Sequence, residues 1–108
     1  MKSRQVSFFI DLNSLPSLMT VLMEEVLPGF RELPHFLGFT VLKSDSGTRT
    51  EIVGMSYWDD DLEGSEETAQ RFVEEVHRLT GASPSRKRFD ILYATMRDTV
   101  GGLQQESV

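Results

Sequence analysis

The sequence predicts one α+β domain in which four strands and two helices follow in the order β-α-β-β-α-β. Three observations carry this reading. Apolar residues alternate with a period of two around residues 6–12 and 49–58. Apolar stripes at helical spacing occupy residues 15–33 and 69–79. Between them, Asp45-Ser46-Gly47 has hairpin chemistry. At 108 residues the chain has the length of one domain and needs no metal or disulfide staple to bury a core.

The first strand is read from Val6, Phe8, Ile10 and Leu12, with Ser7, Phe9 and Asp11 on its other face. Asn13 or Ser14 is the expected helix cap, and Pro16 is tolerated in the first turn because its missing N–H has no partner there anyway. Leu15, Leu18, Met19, Leu22 and Val26 then form an apolar stripe. Pro28-Gly29 should break the helix, yet Phe30 and Leu33 keep its phase. A kink or an in-line restart is therefore expected, with the helical segment reaching about Leu33. Residues 34–38 read as a turn, 39–43 as the second strand and 49–58 as the third. In the third, Ile52, Gly54, Ser56 and Trp58 share one face, and Val53, Met55 and Tyr57 the other.

Residues 59–64 read as an acidic loop. Ser65 is the expected cap of the second helix, with Glu66 and Glu67 in the turn where the helix dipole favours negative charge. Ala69, Phe72, Val73, Val76 and Leu79 are its buried stripe, and Glu67–Arg71 and Glu74–Arg78 its solvent-side pairs. Gly81 should end it. Residues 82–87 read as a loop and 88–96 as the fourth strand. The domain thus spans residues 1–98, and 99–108 form a polar, mobile tail.

This order is the split βαβ, or ferredoxin-like, unit. Its two helices cover one sheet face only. The other face would carry Phe9, Val53, Met55 and Leu92, or their neighbours should the facing be reversed. An apolar face that large calls for a second copy, so a homodimer joined through the sheet is expected.

Composition excludes several functions. A net charge of −6 disfavours nucleic acid and anionic membranes. The absence of Cys removes disulfides, thiolate nucleophiles and Cys-ligated metals. No His-carboxylate arrangement reads as a metal triad, so no metal is expected. The short apolar run after Met1 is interrupted by Ser7 and Asp11, which leaves a cytoplasmic location as the default.

Residues 26–28 (Val-Leu-Pro), 33–39 (Leu-Pro-His-Phe-Leu-Gly-Phe), 45–47 (Asp-Ser-Gly) and 55–58 (Met-Ser-Tyr-Trp) resemble the antibiotic biosynthesis monooxygenase family of dimeric α/β barrels. The resemblance covers about residues 5–97. It implies a cofactor-independent monooxygenase acting on an aromatic or quinone-like molecule, with Trp58 at the strand end. The chain departs from that pattern where chemistry is expected. Quinone-oxidising members carry an Asn where this chain has Gly54 and a His where it has Leu42, and their Tyr after the Trp is missing. Haem-degrading members place a Trp and a His on the second helix, where this chain has His77 alone, and an Asn on the first strand, which Asn13 lies beyond.

Four residues are the candidates for a site: Trp58 to stack an aromatic ligand, and Tyr57, His77 and Asp11 to handle protons. Each has a plain structural reading as well. Trp58 would close the core, Tyr57 cap it, His77 sit half-exposed, and Asp11 lie solvated at the sheet edge, which is the favoured place for it. Tyr93 and His35 are weaker candidates on the same grounds. Asp59, Asp61, Glu63 and Gly64 mimic half of a calcium loop, but Gln70 stands where its bidentate Glu belongs. Arg86-Lys87-Arg88 is too small a basic run for nucleic acid. Two functions remain open: a small oxygenase with an apolar pocket, or a non-catalytic homodimeric domain that binds a small molecule or only assembles. The lining of the interior discriminates them, since chemistry needs converging polar side chains.

Overall fold

A computed structural model of the protein describes residues 1–59 and 64–95. The tail 99–108 and most of the acidic loop, with its calcium-like spacing, lie outside the described residues. Four strands form one antiparallel sheet: β1 (Lys2–Ile10), β2 (Phe36–Ser46), β3 (Arg49–Trp58) and β4 (Ser85–Asp90), in the spatial order β2-β3-β1-β4. Helices α1 (Leu15–Val21), α2 (Leu27–Arg31) and α3 (Ser65–Thr80) lie against one face of it. The expected α+β, ferredoxin-like order is present.

The segment around Pro28 shows how sequence becomes packing. Leu18, Leu22, Val26 and Phe30 are all buried, one every fourth residue. An α-helix turns once in about 3.6 residues, so such a row drifts steadily round the helix. Between α1 and α2, residues Leu22–Val26 form a wider turn in which the Leu27 N–H bonds the Leu22 carbonyl, five residues back. That turn winds less per residue and returns Val26 and Phe30 to the sheet side. It also opens the backbone ahead of Pro28, which has no N–H to donate and a ring that crowds the preceding turn. The expected kink or restart is thus a local widening, and helical structure ends at Arg31 rather than Leu33.

Other boundaries shift for equally local reasons. β1 starts at Lys2 and ends at Ile10, leaving Leu12 half-exposed beyond it. β2 runs from Phe36, with an irregularity between Phe36 and Gly38, because β3 offers partners all the way to Trp58. Residues 36–38 are therefore strand and not turn. β4 occupies Ser85–Asp90 rather than 88–96. Asp90 pairs with Lys2 at the start of β1, and beyond it only Ile91 finds a carbonyl, that of Met1. Leu92 and Tyr93, read as strand residues, are 94% and 82% exposed. Arg86, Lys87 and Arg88 lie in β4 and not in a loop.

α3 begins one residue away from expectation. Gly64, at a left-handed φ of 85°, takes the cap position, and Ser65 is the first helical residue, fully buried. Gly81 ends the helix as expected. Arg78 turns to Glu75 instead of Glu74.

The core is the layer between sheet and helices. Val6, Phe8 and Ile10 enter it from β1, Ile52 and Trp58 from β3, Phe72 and Val76 from α3. Among the described residues, no element lies over the opposite face of the sheet. Phe9, Leu42 and Phe89 lie there, exposed, beside the half-buried Val53, Met55 and Tyr57. The facing predicted for β1 and β3 is the one observed. Leu92 is not part of that face, and Leu42 is.

Phe30 contacts Phe36, Phe39 and Trp58 and is 2% exposed. Phe30→Ala is expected to cost about 3–5 kcal/mol, as for other core aromatics. Urea unfolding measures it, and a loss below about 1 kcal/mol would show that the wide turn does not set the helix phase.

Candidate functional site

Trp58 sits at the end of β3, fully buried on the helix side of the sheet. Its ring meets Phe30 and Phe36 edge to face, with centroids 5.4 Å away in both cases. Its indole N–H donates to Ser56 Oγ at 2.8 Å. An indole is buried in this way when its apolar ring is packed and its single donor is satisfied. Ser56 lies two residues back on the same strand face, and its hydroxyl makes a long 3.5 Å contact to the Arg4 carbonyl.

Arg4 is the polar residue that the sequence reading missed. It is opposite Ser56 on β1 and 4% exposed. One of its terminal nitrogens donates to Ser65 Oγ at 3.1 Å, and the other lies 3.1 Å from Glu66 Oε1. Its Nε is buried with no partner among the described residues. Glu66 also receives Arg86, at 2.6 Å on Oε2, and Arg88, at 3.5 Å on Oε1. Three guanidinium groups from β1 and β4 thus converge on one carboxylate in the first turn of α3. The signal was in the sequence as alternation. Arg4 precedes Val6, Phe8 and Ile10 at the same two-residue spacing, so it shares their inward face.

A cavity of about 10 Å³ lies between Arg4, Phe30, Phe39, Ser56 and Phe72, enough for about one water. Gly54 borders it. A Cβ there would approach Phe39 to 3.2 Å and Phe72 to 3.3 Å. The position at which the resemblance would set an Asn is therefore closed by two aromatic rings.

The other candidates do not gather round Trp58. Tyr57 is on the opposite sheet face, its hydroxyl 3.2 Å from Thr40 Oγ1 and 3.9 Å from Met55 Sδ. Leu42, where the resemblance would set a His, is also on that face and 50% exposed. His77 is exposed on α3, with Nδ1 3.1 Å from the Ala82 carbonyl. Asp11 follows β1 and is exposed, at the edge where it was expected. The His35 carbonyl accepts the Asp59 N–H at 2.9 Å.

The electrostatics of the cluster follow from its geometry. Burial pushes the Arg4 guanidinium below its usual range and Glu66 pulls it back, while Arg88 and Arg86 repel it. The hydrogen bond from Arg86 holds the Glu66 carboxyl below its ordinary range. The charges of Arg4 and Arg88 add to this, against partial desolvation. A carboxyl lowered by folding stabilises the protein above its unfolded value and loses that effect as pH falls through the folded value. The melting-temperature advantage of the native chain over Glu66→Gln should therefore be present at about pH 6–7, shrink once pH falls past the ordinary Glu value of about 4.3, and vanish only below the lowered folded value. Parallel melts of the two proteins measure it, and an advantage unchanged by acid would mean that the ion pairs contribute nothing.

No protein-family model matches the chain, and no curated protein matches it. Solved structures do. The monooxygenase from the gene ActVA-Orf6 of Streptomyces coelicolor, in complex with nanaomycin D, is 18% identical with a TM-score of 0.64, over 90% of this chain and 92% of that one. SnoaB, a cofactor-independent oxygenase from Streptomyces nogalater, is 12% identical with a TM-score of 0.58, over 89% and 98%. A dimeric ferredoxin-like protein from an uncultured marine organism is 11% identical with a TM-score of 0.63, over 90% and 100%. Identities this low carry the fold and not the activity. The chain has the ferredoxin-like α+β fold of antibiotic biosynthesis monooxygenase-type proteins.

Proposed function

We propose that this protein is a homodimeric domain that assembles through its open sheet face, and that it does not oxygenate an aromatic substrate. The observation that supports this most is the state of Trp58. Its ring is packed on Phe30 and Phe36, its N–H is committed to Ser56, and the cavity described between Phe30, Phe39 and Ser56 holds only about 10 Å³. An aromatic ligand needs a pocket of about 300 Å³ or more. Tyr57, Asp11 and His77 are too scattered to share a substrate with it.

The sheet face supports assembly. Phe9, Leu42 and Phe89 are exposed together with parts of Val53, Met55 and Tyr57, and no element of the described residues covers them. Arg49 and Lys87 lie over Phe9 and Phe89 at 5.9 Å and 5.4 Å, which softens the patch without hiding it. Two structural neighbours are described as dimeric ferredoxin-like proteins. A sheet-to-sheet dimer should bury at least ~1,200 Å² in total. Light scattering at micromolar concentration should give twice the chain mass, and Phe9→Lys should shift it towards monomer. A monomer mass for the native chain would falsify the assembly.

An oxygenase reading is favoured by one observation, the buried Arg4 with its unpaired Nε. A cation there would stabilise a deprotonated, electron-rich aromatic, and two neighbours are described as oxygenases. It requires Phe30, Phe36 or Phe39 to leave the core. Oxygen uptake with reduced naphthols or anthrones decides between the two. We expect none above the uncatalysed rate, and Trp58 emission that is blue-shifted and unquenched by quinones. Rapid uptake without added metal or flavin would overturn the assembly-only reading.

A further inference from the structure

We propose that Arg4, Arg86 and Arg88 form a binding site for a phosphate group, and that the Glu66 carboxylate is its internal competitor. The strand register builds the site. Arg88 lies directly opposite Arg4, and Arg86 opposite Val6, which puts all three arginines on the helix side of the sheet. Like charges directly opposite each other destabilise an antiparallel pair unless an anion lies between them. Glu66 supplies one negative charge to three guanidinium groups, so two positive charges among these four groups stay unbalanced. The N-terminal end of the 16-residue helix α3 adds positive potential at the same place.

Arg4 makes the second, independent point. It is 4% exposed, its terminal nitrogens are taken by Ser65 and Glu66, and its Nε has no acceptor among the described residues. A carboxylate offers two oxygens and cannot serve every donor of three forks. A phosphate offers one more oxygen and up to one more charge, and guanidinium groups match it bidentately. The outer part of the site is reachable, with Arg4 behind it. The side chains of Arg88 and Glu66 are 64% and 59% exposed, and that of Arg86 is 30% exposed. It faces the helices, so a dimer joined through the other sheet face leaves it open. With a chain charge of −6 and only three arginines, the fitting ligand is a small phosphate ester and not a nucleic acid.

The test uses the full chain with inorganic phosphate, and with succinate and chloride at matched ionic strength. Phosphate should raise the melting temperature more than either control, because it binds the folded state alone. Calorimetry should show Glu66→Gln binding phosphate about tenfold more tightly than the native chain, and Arg88→Gln about tenfold more weakly, as expected for one charge-assisted contact. Equal stabilisation by all three salts would reduce the cluster to a structural ion-pair network and overturn the proposal. Stabilisation greatest with succinate would overturn the phosphate assignment. Should Glu66→Gln fail to fold, Arg88→Gln still decides, since its side chain is exposed; binding unchanged in that variant also overturns the proposal.

Discussion

Phe30, Phe36 and Trp58 bring a helix, a strand start and a strand end to one point, each ring within 5.7 Å of the other two. The other tertiary features of the interior follow from this contact. It holds α2 on the sheet, and it continues through Phe39 and Phe72 to α3 and through Phe8 to β1. Aromatic rings supply large buried area with few rotatable bonds, so this row is both stabilising and stiff. The same contact depends on the wide turn before Pro28, because without it Phe30 would leave the sheet side. A backbone adjustment of one turn therefore decides whether the interior is filled or hollow.

The fold is also that of oxygenases, and here Phe30, Phe36, Phe39 and Phe72 pack between sheet and helices. Gly54 is part of the reason. Its missing side chain lets Phe39 and Phe72 close over β3, and any larger residue there would push them apart. What polarity the layer retains is concentrated at its edge, where Arg4 and Ser65 lead from the buried Ser56 to the exposed Glu66. The molecule thus presents two distinct surfaces: an apolar sheet face, and a cluster of Arg4, Arg86 and Arg88 around Glu66 on the helix side.

Strand and helix types, the facing of β1 and β3, and the bare sheet face were all legible in the sequence, because they depend on local periodicity. Trp58 was singled out, but its role was not legible, since a strand-end Trp reads the same whether it lines a pocket or plugs one. Arg4 was passed over because a charged residue near the start of a chain is usually solvated. Its burial depends on Ser65 and Glu66, some sixty residues away. Arg86 was read as a loop charge because the start of β4 is polar on both faces and has no apolar alternation to reveal it.

The sequence by itself determined the order of elements and which side chains each one turns inward, since the two-residue and 3.6-residue repeats are properties of the backbone alone. Tertiary structure alone decided where strands stop, how the helix passes Pro28, and which charges meet. Strand length is set by the partner, as with β4, which ends where β1 begins. Charge clusters are set by register between segments far apart in the chain, and no local pattern records that register.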